Sequence, residues 1–142
     1  MIDIIDVILT NKNNEIYIQQ RSPNSKSYPS TWELPGGKIE KTESHKDCII
    51  REIKEELNLE IKNIVNLVLE SPMSLISDGV WTYYKYFVYF AEVENWDNFR
   101  LEEGKATDYK FLNKDEIEIL NIERHDKKTS PLYLAVKKFF YE

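Results

Sequence analysis

The largely apolar run Ile4 to Thr10 predicts a strand, and Glu15 to Gln20, where Ile16 and Ile18 alternate with polar neighbours, predicts a second. Asn11-Lys12-Asn13-Asn14 between them has turn chemistry, so the two strands are expected to form a β-hairpin. A polar loop follows from Ser22 to Ser30. Trp32-Glu33-Leu34 predicts a short strand stopped by Pro35-Gly36-Gly37. The clearest helix starts at Thr42, the expected N-cap, with Glu43 and Asp47 near the positive end of its dipole. Ile49, Ile53 and Leu57 recur at every fourth position, with Ile50 beside them, as one apolar stripe. Asn58 is expected to close this helix, because Asn tolerates the left-handed conformation.

Further on, Ile61 to Leu69 and Trp81 to Val93 predict longer strands around a loop at Ser71 to Gly79. Tyr109-Lys110-Phe111-Leu112 predicts another strand, and Asn113 with Glu116 has the spacing of a capping box on a small helix. Ser130-Pro131 opens a last helix, with Leu132, Val136, Phe139 and Phe140 as its buried stripe. No repeat or long linker divides the chain. The expectation is one domain over residues 1–142, of α/β or α+β class, with a mixed sheet and helices packed against it.

Composition narrows the function classes. The 142 residues carry 25 acidic and 19 basic side chains, a net charge of -6. A non-specific nucleic-acid binder, which depends on Lys and Arg at phosphates, is not expected. Cys48 is the single cysteine, which excludes an internal disulfide and fits a reducing compartment. Met1 to Asp6 lacks a basic leader, and no apolar run approaches the ~18 residues of a bilayer span. A cytoplasmic protein without a membrane partner is expected, as monomer or homodimer.

The helix from Thr42 carries an arrangement that packing does not explain. Glu52, Glu55 and Glu56 stand at i, i+3 and i+4 and are expected on one side, opposite much of the apolar stripe. Like charges at that spacing cost roughly 0.2–0.5 kcal/mol per pair. Glu55 and Glu56 also lie near the negative end of the dipole. Two readings stand side by side: a solvated face with Lys54 and Lys62 as counterions, or a site for a hard cation such as Mg²⁺ or Mn²⁺. Gly36-Gly37 leads towards this helix, where bare backbone can approach a ligand, and Lys38 could meet a phosphate.

Taken together, Gly37, Glu43, Arg51-Glu52-Ile53, Glu55-Glu56 and Leu59 resemble the Nudix hydrolase signature. Eight of its nine specified positions fit, and Asn58 stands where the family has Gly. A chance match at a given start is on the order of one in 10⁸ at average residue usage. Trp32 to Lys38 also resembles the lead-in of the MutT-type branch. The resemblance implies an α/β/α sandwich and hydrolysis of a nucleoside diphosphate linked to another moiety, by water attack on phosphorus. It implies Glu55 and Glu56 as metal ligands, joined by a carbonyl of Gly36 or Gly37. Glu52 would bind metal or act as the base, Arg51 would orient Glu52, and Glu43 would be structural or in the outer shell. The further acidic residue that the family often supplies from a later loop best matches Glu103, with Glu102 and Asp108 as rivals.

For substrate contacts, Arg21 and Lys38 are expected at phosphates. Aromatics lie on both faces of the Trp81 to Phe90 strand, and Tyr83 and Tyr84 are the candidates for stacking on a base. Asn121 could read a base edge. His45 and His125 carry no assignment, and Cys48 is expected in the core. The first reading is a Mg²⁺- or Mn²⁺-dependent nucleoside triphosphate pyrophosphohydrolase of MutT type, releasing nucleoside monophosphate and pyrophosphate, with oxidised deoxynucleotides as natural candidates. The first strand begins at the start of the chain, which favours this reading over longer sugar-nucleotide enzymes. The alternatives are a pyrophosphatase for ADP-ribose, nucleotide sugars or dinucleoside polyphosphates, and a non-catalytic nucleotide-binding module.

Overall fold

Along β1 (Ile2–Ile8) and the residues just after it, Ile5, Val7 and Leu9 are buried in one cluster and Ile8 in another. In β2 (Ile16–Arg21), Tyr17 joins the first cluster while Ile16 and Ile18 join the second. Period-two alternation with apolar residues on both faces places these strands in a middle layer. The computed structural model describes residues 1–26, 28–118 and 130–142.

The remaining elements are β3 (Trp32–Glu33), β4 (Gly36–Lys38), α1 (His45–Leu57), β5 (Ile61–Ser77), β6 (Val80–Val93), β7 (Ala106–Leu112), a 3₁₀ turn (Lys114–Glu116) and α2 (Pro131–Tyr141). The strands form two sheets, a mixed one in the order β4-β1-β6-β5 and an antiparallel one in the order β3-β2-β7. β1 runs parallel to β6 and antiparallel to β4. Cys48, Ile49, Ile53 and Leu57 of α1 fill one core cluster, and Leu132, Tyr133, Ala135 and Val136 of α2 fill the other. This is the mixed α+β architecture expected, with a helix against each apolar face.

Several local expectations need correction. β1 and β2 do not continue as a hairpin: beyond the Thr10–Ile16 bridge they part into different sheets, each finding other partners. Gly36 and Gly37 do not simply end a strand but form β4, paired with Asp6 and Ile5. The cap of α1 is Ser44, whose hydroxyl accepts from the Asp47 amide at 3.1 Å, whereas Thr42 sits in a left-handed turn. Ile50 is exposed, outside the stripe. Asn58 does close the helix, at φ 57°. The expected loop at Ser71 to Gly79 is mostly strand, because β5 and β6 pair as far as Ser77 and Val80 around Asp78-Gly79. Both turn residues have positive φ, 51° and 77°, as a tight hairpin turn requires. Pro72 is tolerated because β5 is an edge strand. Asn113 and Glu116 form the expected capping box, on a 3₁₀ turn.

Candidate active site

α1 presents Glu52 and Glu56 one turn apart, and both are buried, at 6% and 2% exposure. They therefore do not lie on a solvated face opposite the stripe. They point at β4, where two glycines admit them. The Gly36 amide donates to Glu56 Oε2 at 2.7 Å. A side chain at Gly37 would put its Cβ 2.5 Å from Glu52 Oε1, so only glycine leaves that carboxylate its place. Gly36 has φ 152°, and a Cβ there would run into the backbone of Ile5 and Asp6. Strand β4 is thus held against β1 on one side and opened to the helix on the other.

Arg51 organises the other flank. Its guanidinium binds Glu43 through two nitrogens, Glu52 Oε1 at 2.9 Å and Glu55 Oε2 at 3.3 Å. It also donates to the Lys38 carbonyl at 3.3 Å. These bonds fit the expected role of orienting Glu52. Glu55 sits at the rim with its side chain half-exposed. Glu52 and Glu56 both point at β4, while Glu55 is joined to Glu52 through Arg51.

The loop between β6 and β7 closes the site. The amides of Arg100 and Glu102 donate to the carbonyls of Leu57 and Glu56, each at 3.0 Å, satisfying acceptors that the helix end leaves open. This fastening sets Lys105 over the carboxylates. Its Nζ lies 2.8 Å from Glu56 Oε1, 3.8 Å from Glu52 Oε2 and 3.9 Å from Glu102 Oε2. Glu103, the expected loop carboxylate, is exposed, and Glu102, its rival, is the one drawn to the cluster. Asp108 lies in β7, its carboxylate accepting from the Tyr109 amide.

Behind Glu56 runs a buried polar chain. Tyr17 donates to Gln19 Oε1 at 2.9 Å, and Gln19 Nε2 reaches Glu33 at 3.4 Å and Glu56 at 3.5 Å. Burial pushes the Glu56 carboxyl up to about 8, against the opposing pull of Lys105. Burial also raises Glu52, opposed by Lys105 and Arg51. For Lys105 burial works the other way, yet the charges of Glu56, Glu52 and Glu102 hold its ammonium above the usual lysine range. Burial raises the Cys48 thiol to about 12, which suits its place in the core and not a nucleophile's.

A cleft of about 420 Å³ opens beside β4, lined among others by Arg21, Glu33, Lys38, Tyr84, Tyr86 and Lys105. Arg21 is already paired with Glu33 at 2.8 Å and with the Ser25 hydroxyl at 2.8 Å, while still facing the cleft. Tyr84 faces it too. Tyr83, the next residue along β6, is 57% exposed and stands outside its lining, because successive strand residues point to opposite faces. Asn121 and His125 lie outside the described residues. His45 packs against Phe87, with Nδ1 2.8 Å from the Tyr89 hydroxyl.

Among the described residues no three His, Cys, Asp or Glu side chains already converge as a finished metal site. The donor set nonetheless fits a hard cation. Glu52 Oε2 is buried with no hydrogen-bond partner, Glu56 lies beside it, and the only charge close to both is the Lys105 ammonium among the described residues. Oxygen donors of this kind suit Mg²⁺ or Mn²⁺. The sequence reading missed Lys105 and Gln19. Lys105 sits in an irregular loop with no periodic signal. Gln19 did leave a trace, as a polar residue alternating with Tyr17 on a strand whose other face is Ile16 and Ile18.

Comparison with known proteins finds likeness in both sequence and fold. A family model described as the NUDIX domain matches residues 3–133. An 8-oxo-dGTP diphosphatase of Proteus vulgaris is 33% identical over 54 residues, which is 38% of this chain and 47% of that protein. A CTP pyrophosphohydrolase of Escherichia coli (strain K12) is 35% identical over 60 residues, 42% of this chain and 43% of that protein. The matched segment thus spans less than half the length of these curated relatives. In fold, the chain is similar to a MutT protein from Methanosarcina mazei Go1, with a TM-score of 0.74, 21% identity, and 97% and 90% of the two chains covered.

Proposed function

Because the chain belongs to the Nudix family, we propose that it hydrolyses a nucleoside diphosphate linked to a further group, with Mg²⁺ or Mn²⁺ as cofactor. Nucleoside triphosphate, plain or oxidised, is the substrate we favour, cut to nucleoside monophosphate and pyrophosphate. The observation that carries the reading is the buried Glu52–Glu56 pair, set against bare Gly36-Gly37, glycines that line a cleft together with the cationic side chains of Arg21, Lys38 and Lys105.

The division of labour follows from the site. Glu56 and Glu52, with Glu55 at the rim and a β4 carbonyl of Gly36 or Gly37, would hold the cation. When bound, it supplies charge neutralisation at phosphate oxygens and eases deprotonation of the attacking water. Glu52 is our choice of base, since burial raises its proton affinity and Arg51 fixes its other oxygen. Arg21 and Lys38 meet the polyphosphate, and Tyr84 offers a face to the base. Glu102 replaces Glu103 as the loop carboxylate nearest the cluster. Water adds to phosphorus, its proton passes to Glu52, and the P–O–P bridge breaks with pyrophosphate leaving.

Incubation with Mg²⁺ and a panel of nucleoside triphosphates, ADP-ribose and dinucleoside polyphosphates, followed by product identification, tests the proposal. Glu52→Gln and Glu56→Gln should each lower kcat by about 10²-fold or more in folded protein. Turnover of no member of the panel would favour a binding module instead. Unimpaired variants would remove these residues from the chemistry.

A further inference from the structure

Lys105 has no place in the division of labour above, yet its ammonium lies 2.8 Å from the almost fully buried Glu56. We propose that Lys105 is a tethered cation that occupies the carboxylate site of the metal-free protein and is displaced when a divalent ion binds. The inference rests on reading Glu52 and Glu56 as the metal centre.

Three observations support it. First, a carboxylate as buried as Glu56 is costly to leave unpaired, and among the described residues Lys105 is the one basic side chain paired with it. Arg51 is committed to the other flank, at Glu43, Glu52 and Glu55. Second, the ammonium fills the site imperfectly. It hydrogen-bonds Glu56 but stays 3.8 Å from Glu52 Oε2, which is left buried without a hydrogen bond. A divalent ion accepts both carboxylates at shorter range and with twice the charge.

Third, the backbone is fixed while the side chain is free to leave. The Lys105 carbonyl accepts from the Ser22 amide at 3.0 Å, and its own amide donates to the Glu102 carbonyl at 3.3 Å. The side chain is 40% exposed and lines the cleft, so rotation about its four-carbon stem moves Nζ off Glu56 without moving the loop. Once released, the ammonium faces the space that Arg21 and Lys38 share. Metal entry would then deliver a third positive charge to the polyphosphate, making metal and nucleotide binding mutually supportive.

Calorimetric titration of the whole chain with Mn²⁺, without nucleotide, is the test. Lys105→Gln should bind Mn²⁺ roughly tenfold more tightly than wild type, because a charge-assisted bond no longer has to be broken. Lys38→Gln removes an equal charge from the same cleft and should change the affinity far less. Equal gains in both variants would reduce the effect to net charge and overturn the inference. So would unchanged or weaker Mn²⁺ binding in Lys105→Gln.

Reductive methylation of the wild-type protein, read by peptide mass spectrometry, gives a second measurement that needs no variant. Lys105 should react slowly in metal-free protein and faster with saturating Mg²⁺, relative to Lys54 as internal reference. Indifference of Lys105 to Mg²⁺ would also overturn the inference. Absence of Mn²⁺ binding in wild type and variant alike would overturn the metal-centre reading and this inference with it.

Discussion

Arg51 and Glu43 are joined by two parallel hydrogen bonds, Nε to Oε2 at 2.7 Å and Nη2 to Oε1 at 3.0 Å. The same guanidinium also holds Glu52, so the carboxylate eight residues upstream fixes the arm that aims the proposed base.

The Arg51 hydrogen bonds, helped by the Glu40 amide, hold the Glu43 carboxyl down at about 2 against an ordinary 4.5. A group depressed in the folded state stabilises above its unfolded pKa and loses that contribution as pH falls through the folded value. Wild type should therefore lose this part of its stability between pH 4.5 and about 2. Glu43→Gln should flatten that limb. Urea unfolding at a series of pH values measures it, and superimposable profiles would mean the pair adds nothing.

Gly37→Ala should damage the site more than the fold. The added Cβ would sit 2.5 Å from Glu52 Oε1, and the carboxylate is the part able to turn away. We expect kcat to fall by about 10²-fold, with a stability loss of about 1–3 kcal/mol. Steady-state kinetics beside urea midpoints separates the two effects. Near-normal turnover would show that the position of Glu52 is not critical.

Asn58 closes α1 at φ 57° and ties its Nδ2 to the Asn98 carbonyl at 3.0 Å. Asn58→Ala should cost about 1–2 kcal/mol through left-handed strain. Asn58→Gly relieves the strain but forfeits the side-chain bond, and should lie within about 1 kcal/mol of wild type. Equal losses in denaturant titrations would assign the effect to the bond alone.

Tyr17→Phe removes the donor that Gln19 Oε1 uses. A buried acceptor left unpaired costs about 1–3 kcal/mol. Since the other end of Gln19 reaches Glu33 and Glu56, kcat should fall while KM holds. A lowered melting temperature with unaltered kcat would confine this chain to a structural role.

What the sequence made legible were features with a local cause. Ile49, Ile53 and Leu57 drew the buried face of α1, and Asn58 marked its end. The resemblance carried by Gly37 to Leu59 implied that the glycines and carboxylates meet. What it hid depends on partners distant in the chain. Ser71 to Ser77 has the composition of a loop but pairs with β6, and Asp78-Gly79 was the turn signal overlooked. Gly36 and Gly37 became strand only because β1 lies alongside. Glu52 and Glu56 are buried because β4 and the Lys105 loop cover a helix face that helix geometry alone leaves open. Tyr83 and Tyr84 read alike as aromatics, and strand alternation separated them.

The fastening of Arg100 and Glu102 to the end of α1 also bears on the order of assembly. Gln19, Gly36, Glu56 and Lys105 meet only after four separate stretches have come together, so the pocket is expected late in folding. A nascent chain not yet extended past Gly104 would leave Glu56 without its ammonium partner, while Glu52 keeps Arg51. Competence should appear with docking of the final strands rather than with the helix that bears the signature.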